Sequence, residues 1–390
     1  MGAAVPSKQK VILLFALAHF CHHLCTGCLV PLLPLIRNAF GLEYFQSGLL
    51  VSAFSLAYGF GGPPAAWLAD RLSRRLLIAA GLLGVSLTTM AVGVSRSYAH
   101  LAVLLGLMGL LGASYHAPAS SLLSSMLSSK ERGRSLGFHI VGGSSAFLVT
   151  PVLAGAIATL AGWNWAFILL GLPALLVAVA LTSLLGEPEV EARQRAMEPS
   201  GGRTPLLKAI RDLGGIVVVA VMLQVVGSAF ATYLPLFLAD AHGVDPALAG
   251  MLGGLAVGAG VLGAPVGGAL SDRVGRKPVI LTSLVATGPL ICLVALLGYG
   301  PLLIGATILY GIVMSMRMAP IESHIADVVP LSRRATVLGL YYFLGQETAG
   351  VSTPLIGRLI DAMGPSSTFL LIAAVTTFVA VLTLLFRRRI

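Results

Sequence analysis

The chain has 390 residues, of which 57% are hydrophobic and only 10% are charged, and its mean hydropathy is +0.93. A soluble domain of this length needs far more polar surface, so the composition excludes soluble protein classes and predicts an integral membrane protein. The 46 glycines and the 7% aromatic content favour closely packed helices over barrel strands.

Twelve apolar segments long enough to cross a bilayer follow one another along the chain. We place the predicted transmembrane helices at residues 11–36, 46–68, 76–95, 101–127, 136–160, 165–185, 211–239, 248–269, 279–298, 302–326, 336–360 and 366–386. The polar stretch at residues 186–210 predicts a cytoplasmic linker. It divides the chain into two six-helix bundles, residues 1–185 and 211–390. The predicted fold class is an all-α membrane protein with twelve transmembrane helices.

The net charge of +10 reflects where the basic residues lie. Most of the 25 Lys and Arg residues occur near the two ends of the chain, in the central linker and in the loops after the second, fourth, eighth and tenth spans. This pattern predicts a multi-pass protein of the cytoplasmic (inner) membrane with both termini in the cytoplasm. The charge is thus explained by topology and by contact with membrane lipid, and it does not indicate a nucleic-acid partner.

The two halves of the sequence resemble each other. Five residues of the first half recur at a constant displacement in the second, where Gly41, Gly48, Asp70, Pro118 and Gly137 correspond to Gly243, Gly250, Asp272, Pro320 and Gly339. A six-helix unit followed by a copy in the same orientation is a parallel repeat. Such a repeat predicts a substrate site near the membrane midplane between the bundles, with access alternating between the two sides.

A short charged motif follows the second helix of each half, as "WLADRLSRR" and "ALSDRVGRK". An aspartate at a helix end and basic residues across the loop can form a charge latch that holds a gate closed. An alternative is that the basic residues only set the topology. The predicted gating residues are Asp70, Arg71 and Arg74 in the first copy and Asp272, Arg273, Arg276 and Lys277 in the second.

The stretch "GALSDRVGRK", residues 268–277, is similar to the loop motif of the major facilitator superfamily. The first copy departs from that motif at Ala66 and Ser73, which replace the usual glycines. "YHAPASS" in the fourth span and "ERGRSLGFHIVGGSSAFLVTPVLAGAI" in the fifth resemble the fosmidomycin-resistance-type branch of exporters. The fifth span also resembles the glycine-rich, proline-ended motif of antiporters. It has Thr150 where that motif usually has a glycine before Pro151, and this difference argues against multidrug antiport. The resemblance implies that the first, fourth, seventh and tenth helices line a central cavity.

Ionisable side chains at membrane depth are costly, so each is a functional candidate. Arg317 carries a permanent charge that binds carboxylate or phosphate in a bidentate manner, and we expect it to bind an anionic substrate group or to pair with Glu347. Glu347 is the predicted proton-coupling carboxylate, because burial favours its neutral form and a nearby arginine its charged form. The other predicted substrate-binding residues are His23, Tyr115, His116, Gln224 and Tyr233.

The first span contains "HFCHHLCTGC", residues 19–28. At about 100° per residue, His19, His22, His23 and Thr26 share one helix face, whereas Cys21, Cys25 and Cys28 occupy the opposite face. A mixed cysteine and histidine metal site therefore cannot be built from this segment alone. We predict that His19, His22 and His23 contribute to proton coupling and that the protein has no metal site. Metal transport with a ligand from another helix, such as His116, is a further alternative.

Three functional hypotheses follow. The first is a proton-coupled exporter of a small anionic or amphipathic organic compound that works by alternating access. The second is a proton-coupled symporter that takes up an organic anion such as a carboxylate or phosphorylated metabolite. The third is a membrane assembly factor or enzyme without transport, although no nucleotide-binding loop or nucleophile elbow occurs in the sequence. We predict a transporter that is not an enzyme, acts as a monomer, binds a small-molecule substrate and protons, and needs no cofactor.

Overall fold

A computed structural model describes residues 8–69, 71–127, 129–184, 213, 215–329 and 331–385. In these ranges the chain forms sixteen α-helices and no strand. The helices are α1 Lys8–Thr26, α2 Leu29–Phe40, α3 Tyr44–Ala69, α4 Arg74–Gly93, α5 Tyr98–Gly112, α6 His116–Ser125, α7 Ser129–Ala161, α8 Trp163–Leu184, α9 Ile216–His242, α10 Pro246–Gly258, α11 Gly260–Val274, α12 Arg276–Leu296, α13 Pro301–Met316, α14 Met318–Val328, α15 Leu331–Met363 and α16 Pro365–Leu385. The all-α fold class is confirmed. The predicted linker, residues 186–210, lies outside the described residues.

Ten spans within the described residues are long and apolar enough to cross a membrane. The other two predicted spans fall on α3 and α15, which have 26 and 33 residues. Both are long enough to span, but α3 contains the pair Pro63 and Pro64, and α15 contains several charged residues. The twelve predicted spans therefore all correspond to helices.

Four of the predicted spans consist of two consecutive helices. The first breaks at Gly27 and Cys28, between α1 and α2, and the fourth breaks at residues 113–115, between α5 and α6. The eighth breaks at Ala259, and the tenth breaks at Arg317. The break in the fourth span lies just before His116, the first residue of α6. Such breaks leave backbone groups open to side chains or ligands, so they are common at transport sites.

The parallel repeat is visible in the helix boundaries. Helix α7 corresponds to α15 at both ends with the displacement that relates Gly41 to Gly243, and the starts of α8 and α16 are related in the same way. The loop glycines follow the same rule. Gly41 and Gly243 have φ angles of 62° and 65°, whereas Gly162 and Gly364 have φ angles of 93° and 83°. Residues with a side chain rarely adopt such angles, so the repeat extends to backbone conformation.

The chain divides into two compact units. The first unit comprises residues 1–40 and 50–199, and the second comprises residues 41–49 and 200–390. In the first unit, α1 packs on α7 and α4 packs on α8. In the second unit, the corresponding pairs are α9 with α15 and α12 with α16. The boundaries predicted for the two bundles stay a prediction. Residues 41–49 belong to the second unit although they lie in the first half of the chain.

Small residues permit the close helix contacts inside each unit. A Cβ atom on Gly142 would meet the backbone of Ala16, so α7 can approach α1 only with glycine at this position. The hydroxyl of Ser86 donates a hydrogen bond of 2.9 Å to the carbonyl of Gly171, which joins α4 to α8. Large apolar side chains point outward, as shown by Leu160, which is 87% exposed. These outward surfaces are suited to lipid.

Candidate functional site

Five histidines form one cluster in the first unit, which we call the histidine cluster. His19, His22 and His23 come from α1, His116 is the first residue of α6, and His139 comes from α7. The ring centroids of His19 and His116 lie 4.9 Å apart, those of His23 and His116 lie 5.1 Å apart, and those of His19 and His139 lie 4.2 Å apart. The break before α6 brings His116 to the histidine face of α1. The structure therefore places four histidines of the predicted site next to one another and adds His139, which was not predicted.

Hydrogen bonds determine the tautomers of two of these rings. His19 Nδ1 lies 2.8 Å from the carbonyl oxygen of His139, and His139 Nδ1 lies 3.1 Å from the carbonyl oxygen of Phe15. A carbonyl oxygen only accepts, so in the neutral ring each Nδ1 carries the proton and each Nε2 carries a lone pair. Both Nε2 atoms are buried and have no hydrogen-bond partner among the described residues. The cluster therefore contains buried acceptors without donors.

The remaining α1 residues complete the same face. The hydroxyl of Thr26 lies 3.1 Å from the carbonyl oxygen of His22, to which it donates, and 3.4 Å from His23 Nδ1. His22 is fully buried, and neither of its ring nitrogens has a hydrogen-bond partner within the described ranges. Its ring stacks on Tyr115 with a centroid distance of 4.8 Å and an interplanar angle of 16°. On the predicted polar face of α1, His19 and His22 are thus buried in the first unit, whereas His23 and Thr26 are half-buried.

The cysteines occupy the other side of α1. Cys21, Cys25 and Cys28 are free and buried. The thiol of Cys25 lies 3.6 Å from the carbonyl oxygen of Leu170 on α8, and the thiol of Cys28 donates to the carbonyl of Leu24 at 2.8 Å. These contacts are typical of small packing residues.

Arg317 is the buried charge of the second unit. It lies at the junction of α13 and α14, and its side chain is 5% exposed. Its Nη2 donates to Gln224 Oε1 at 3.4 Å, and the hydroxyls of Tyr310 and Tyr341 are close enough to interact with the guanidinium. Its Nε and Nη1 have no hydrogen-bond partner in the described part of the chain. The structure therefore brings Arg317 and Gln224 together and leaves guanidinium donors available.

Two other predicted site residues lie elsewhere in this unit. Glu347 on α15 is half-buried, its Oε1 has no partner within the described residues, and these residues show no ion pair between it and Arg317. Tyr233 is fully buried, and its hydroxyl donates to the carbonyl of Thr353 at 2.7 Å. Tyr233 thus has a packing contact in this structure, and its predicted contact with substrate stays a prediction.

A polar network that the sequence did not predict connects the start of α3 to α15 and α9. Asp361 accepts hydrogen bonds from the backbone N–H groups of Tyr44 and Phe45 at 2.8 and 2.9 Å. The hydroxyl of Tyr44 donates to Asp240 at 2.6 Å. Asp361 thereby caps the N-terminus of a helix that is distant in sequence, where its negative charge is also favourable. A cap supplied from the opposite end of the chain has no local sequence signal.

The loop motif forms an ion-pair network in its second copy. Arg276 pairs with Asp272, and its Nε lies 3.5 Å from Asp327 Oδ2 on α14. Arg273 lies in the last turn of α11, and Lys277 lies in the first turn of α12. In the first copy, Asp70 lies outside the described residues. Arg71 stacks over the ring of Trp67 at 3.9 Å, and Arg74 is the first residue of α4.

Apolar helices in two repeated units, with a buried arginine at one helix break and a histidine cluster beside another, define a polytopic membrane transporter. The family model of the Major Facilitator Superfamily matches residues 15–260 and 216–390, so the chain belongs to this superfamily. It is therefore a secondary transporter and not an enzyme. The fosmidomycin-resistance-type branch stays a prediction.

The relatives include a sugar-acid transporter and a multidrug resistance protein. The chain is 25% identical to the probable galactarate/D-glucarate transporter GudP of Bacillus subtilis (strain 168), over 90% of this chain and 85% of that protein. It is also 25% identical to the multidrug resistance protein MdtG of Enterobacter lignolyticus (strain SCF1), over 92% and 88%. A solved structure of a bacterial homologue of the human lysosomal transporter Spinster, inward-facing and unoccupied, aligns with a TM-score of 0.79 at 20% identity, covering 98% of both chains.

His139 is the member of the histidine cluster that the predicted site omitted. The sequence has one feature that marks this part of α7, since Gly143 lies one helical turn after His139. In the structure, a Cβ atom at Gly143 would meet the ring of His19. Paired small residues indicate close helix contact in membranes. The sequence does not show which helix packs against these glycines. His139 could therefore have been predicted to lie at a helix contact, but its contact with His19 could not.

Proposed function

We propose that the chain is a proton-coupled transporter of a small organic anion and that Arg317 binds the anionic group. The observation that supports this most directly is the burial of Arg317 with two guanidinium nitrogens unpartnered among the described residues. Arginine remains charged when buried, so its open donors favour an anionic ligand such as a carboxylate or phosphonate. Gln224 is positioned to share that ligand, since it already accepts from the same guanidinium.

The proposed proton sites are Glu347 and the histidines of α1. Glu347 has a buried oxygen without a partner in the described residues, and His19, His22 and His23 belong to the histidine cluster. These groups can gain and lose protons as their exposure alternates, whereas Arg317 cannot. We further propose that the protein resides in the cytoplasmic membrane with both termini in the cytoplasm, and that it works as a monomer.

Export is the proposed direction, because the fourth and fifth spans resemble exporters, and the similarity to MdtG supports it. Uptake is the second candidate. It is supported by Arg317 together with the similarity to GudP, whose name specifies galactarate and D-glucarate. The two directions predict opposite couplings between proton flow and substrate flow.

The test uses the full chain in proteoliposomes with an imposed proton gradient and labelled D-glucarate, galactarate or a phosphonate as probe. Export predicts that the probe moves against the direction of proton flow, and uptake predicts that it moves with that flow. If no probe moves under either gradient, the proposed function is wrong.

A carboxylate variant tests the proton site within the same assay. Glu347→Gln should abolish gradient-driven flux and preserve exchange of probe across the membrane, because the amide retains the shape but cannot carry a proton. Glu43→Gln is the matched control, since Glu43 is exposed and lies 3.8 Å from Arg358. Gradient-driven flux that survives in Glu347→Gln would place the coupling in the histidines instead.

A further inference from the structure

The histidine cluster contains three nitrogen donors that lie close enough together to hold a metal ion after small side-chain rotations. His19, His23 and His116 each present a ring nitrogen, and these three nitrogens all lie within 4.8 Å of one another. Nitrogen ligands about 2.0–2.1 Å from a tetrahedral metal ion are about 3.3 Å apart. Side-chain rotations that move the ring nitrogens by about 1 Å would bring the three donors to that spacing.

Helix geometry explains why these three residues meet. His19 and His23 are four residues apart on α1, so they lie one above the other on the same face. His116 enters from the start of α6, and its ring centroid lies 4.9 Å from that of His19 and 5.1 Å from that of His23. Two ligands one helical turn apart and a third from another element form an arrangement that metal sites commonly use.

The surrounding hydrogen bonds orient the donors for a metal ion. The carbonyl of His139 accepts from His19 Nδ1 at 2.8 Å, which leaves the buried Nε2 of His19 with a lone pair and without a partner in the described residues. The hydroxyl of Thr26 donates to the carbonyl of His22, and its oxygen is then free to accept from His23 Nδ1. A metal-bound histidine usually donates its other N–H to such an oxygen, which sets its tautomer and orientation.

We propose that the histidine cluster binds a divalent transition-metal ion of the zinc class through His19, His23 and His116. Imidazole ligands without carboxylates favour Zn²⁺, Co²⁺, Ni²⁺ or Cu²⁺ over Mg²⁺ and Ca²⁺. The three ligands are neutral, so the ion keeps its full charge and leaves a fourth position for water, hydroxide or another anion. The sequence-based expectation was that the protein has no metal site, with metal transport through a ligand from another helix, such as His116, as the alternative.

The proposal is independent of the proposed organic substrate. Metal ions and protons compete for the same imidazole lone pairs, so metal affinity falls as the pH falls. Each of these ring nitrogens therefore binds either a proton or the metal ion, but not both at once. Binding can be measured in detergent without any transport, so failure of this proposal and failure of the proposed function are separate results.

The experiment uses the full chain, purified without a polyhistidine tag, stripped with a chelator and titrated with Co²⁺. We expect visible d–d absorption of a tetrahedral site that saturates at about one ion per chain and is displaced by Zn²⁺. His19→Ala, His23→Ala and His116→Ala should each weaken binding at least tenfold. His100→Ala should leave it unchanged, because His100 is exposed and distant from the cluster on α5.

Each alanine variant is checked for monodisperse elution and unchanged helical content, and any that fails is replaced by the corresponding His→Gln variant. Lack of the absorption band in the wild-type protein would overturn the proposal. An unchanged band in the His19→Gln and His116→Gln double variant would overturn it as well, because the ion would then have other ligands.

Discussion

Arg317 illustrates how one residue determines the ligand class. Its guanidinium is buried, and one of its nitrogens donates to Gln224. Arg317→Lys keeps the charge but replaces a planar fork with a point charge, so bidentate binding of a carboxylate is lost. We expect the dissociation constant for the best transported anion to rise at least tenfold, which corresponds to about 1.4 kcal/mol. Isothermal titration of the detergent-solubilised protein measures this change.

Arg358→Lys is the matched control for that substitution. Arg358 also lies in the second unit, but its side chain is 69% exposed and its partner is Glu43 at 3.8 Å. An exposed pair at this distance contributes little, so the control should bind the anion like the wild-type protein. An unchanged affinity in Arg317→Lys would remove this residue from the binding site.

Individual candidate residues were largely identifiable from the sequence, whereas their partners were not. Arg317 and the α1 histidines stood out because charged or polar side chains are rare at membrane depth. The polar face of α1 followed from helical periodicity. Helical periodicity does not specify which helices become neighbours, so the contact of His139 with His19 was missed. The expected pairing of Arg317 with Glu347 is likewise not seen in the described residues.

At the scale of helices, Asp361 stabilises the start of α3 by accepting two backbone hydrogen bonds. Asp361→Ala removes both acceptors, so we expect stability to fall by about 1 kcal/mol and the thermal denaturation midpoint to decrease. A second readout is the labelling rate of a thiol introduced by Phe45→Cys, which should increase in Asp361→Ala. Cys21, Cys25 and Cys28 are buried, and the half-buried Cys292 is replaced by alanine in both labelling variants to remove its background.

Asp245→Ala serves as the control for the loss of a helix cap. Asp245 accepts from the backbone of Ala247 and Leu248 at 3.0 Å, so it caps its own helix, α10. Its removal should lower stability by a similar amount without increasing labelling at position 45. Equal labelling in both variants would show that Asp361 does not specifically hold the start of α3.

At the scale of the whole molecule, the repeat was the most predictable feature. The constant displacement between matching residues of the two halves reappears in helix ends and in left-handed glycines. The glycines at these positions are required because other residues rarely adopt positive φ angles. The departure of residues 41–49 to the second unit could not be predicted, since it depends on Asp240 and Asp361, which lie far along the chain.

Topology provides the last prediction. Within the first unit, Lys8 at the start of α1 pairs with Glu131 near the start of α7 at 3.0 Å, so these two helix ends lie on the same side. Within the second unit, Arg276 joins the loop after α11 to the end of α14 through Asp327. Basic loops at helix ends that lie on one side of the membrane favour a cytoplasmic location for that side.

Alkaline phosphatase fused after residue 96, in the loop between α4 and α5, should be active, whereas the same enzyme fused after Arg71 or after the C-terminal residue should be inactive. Green fluorescent protein at the same three positions should give the opposite pattern, and phosphatase activity at the C-terminus would contradict the proposed orientation.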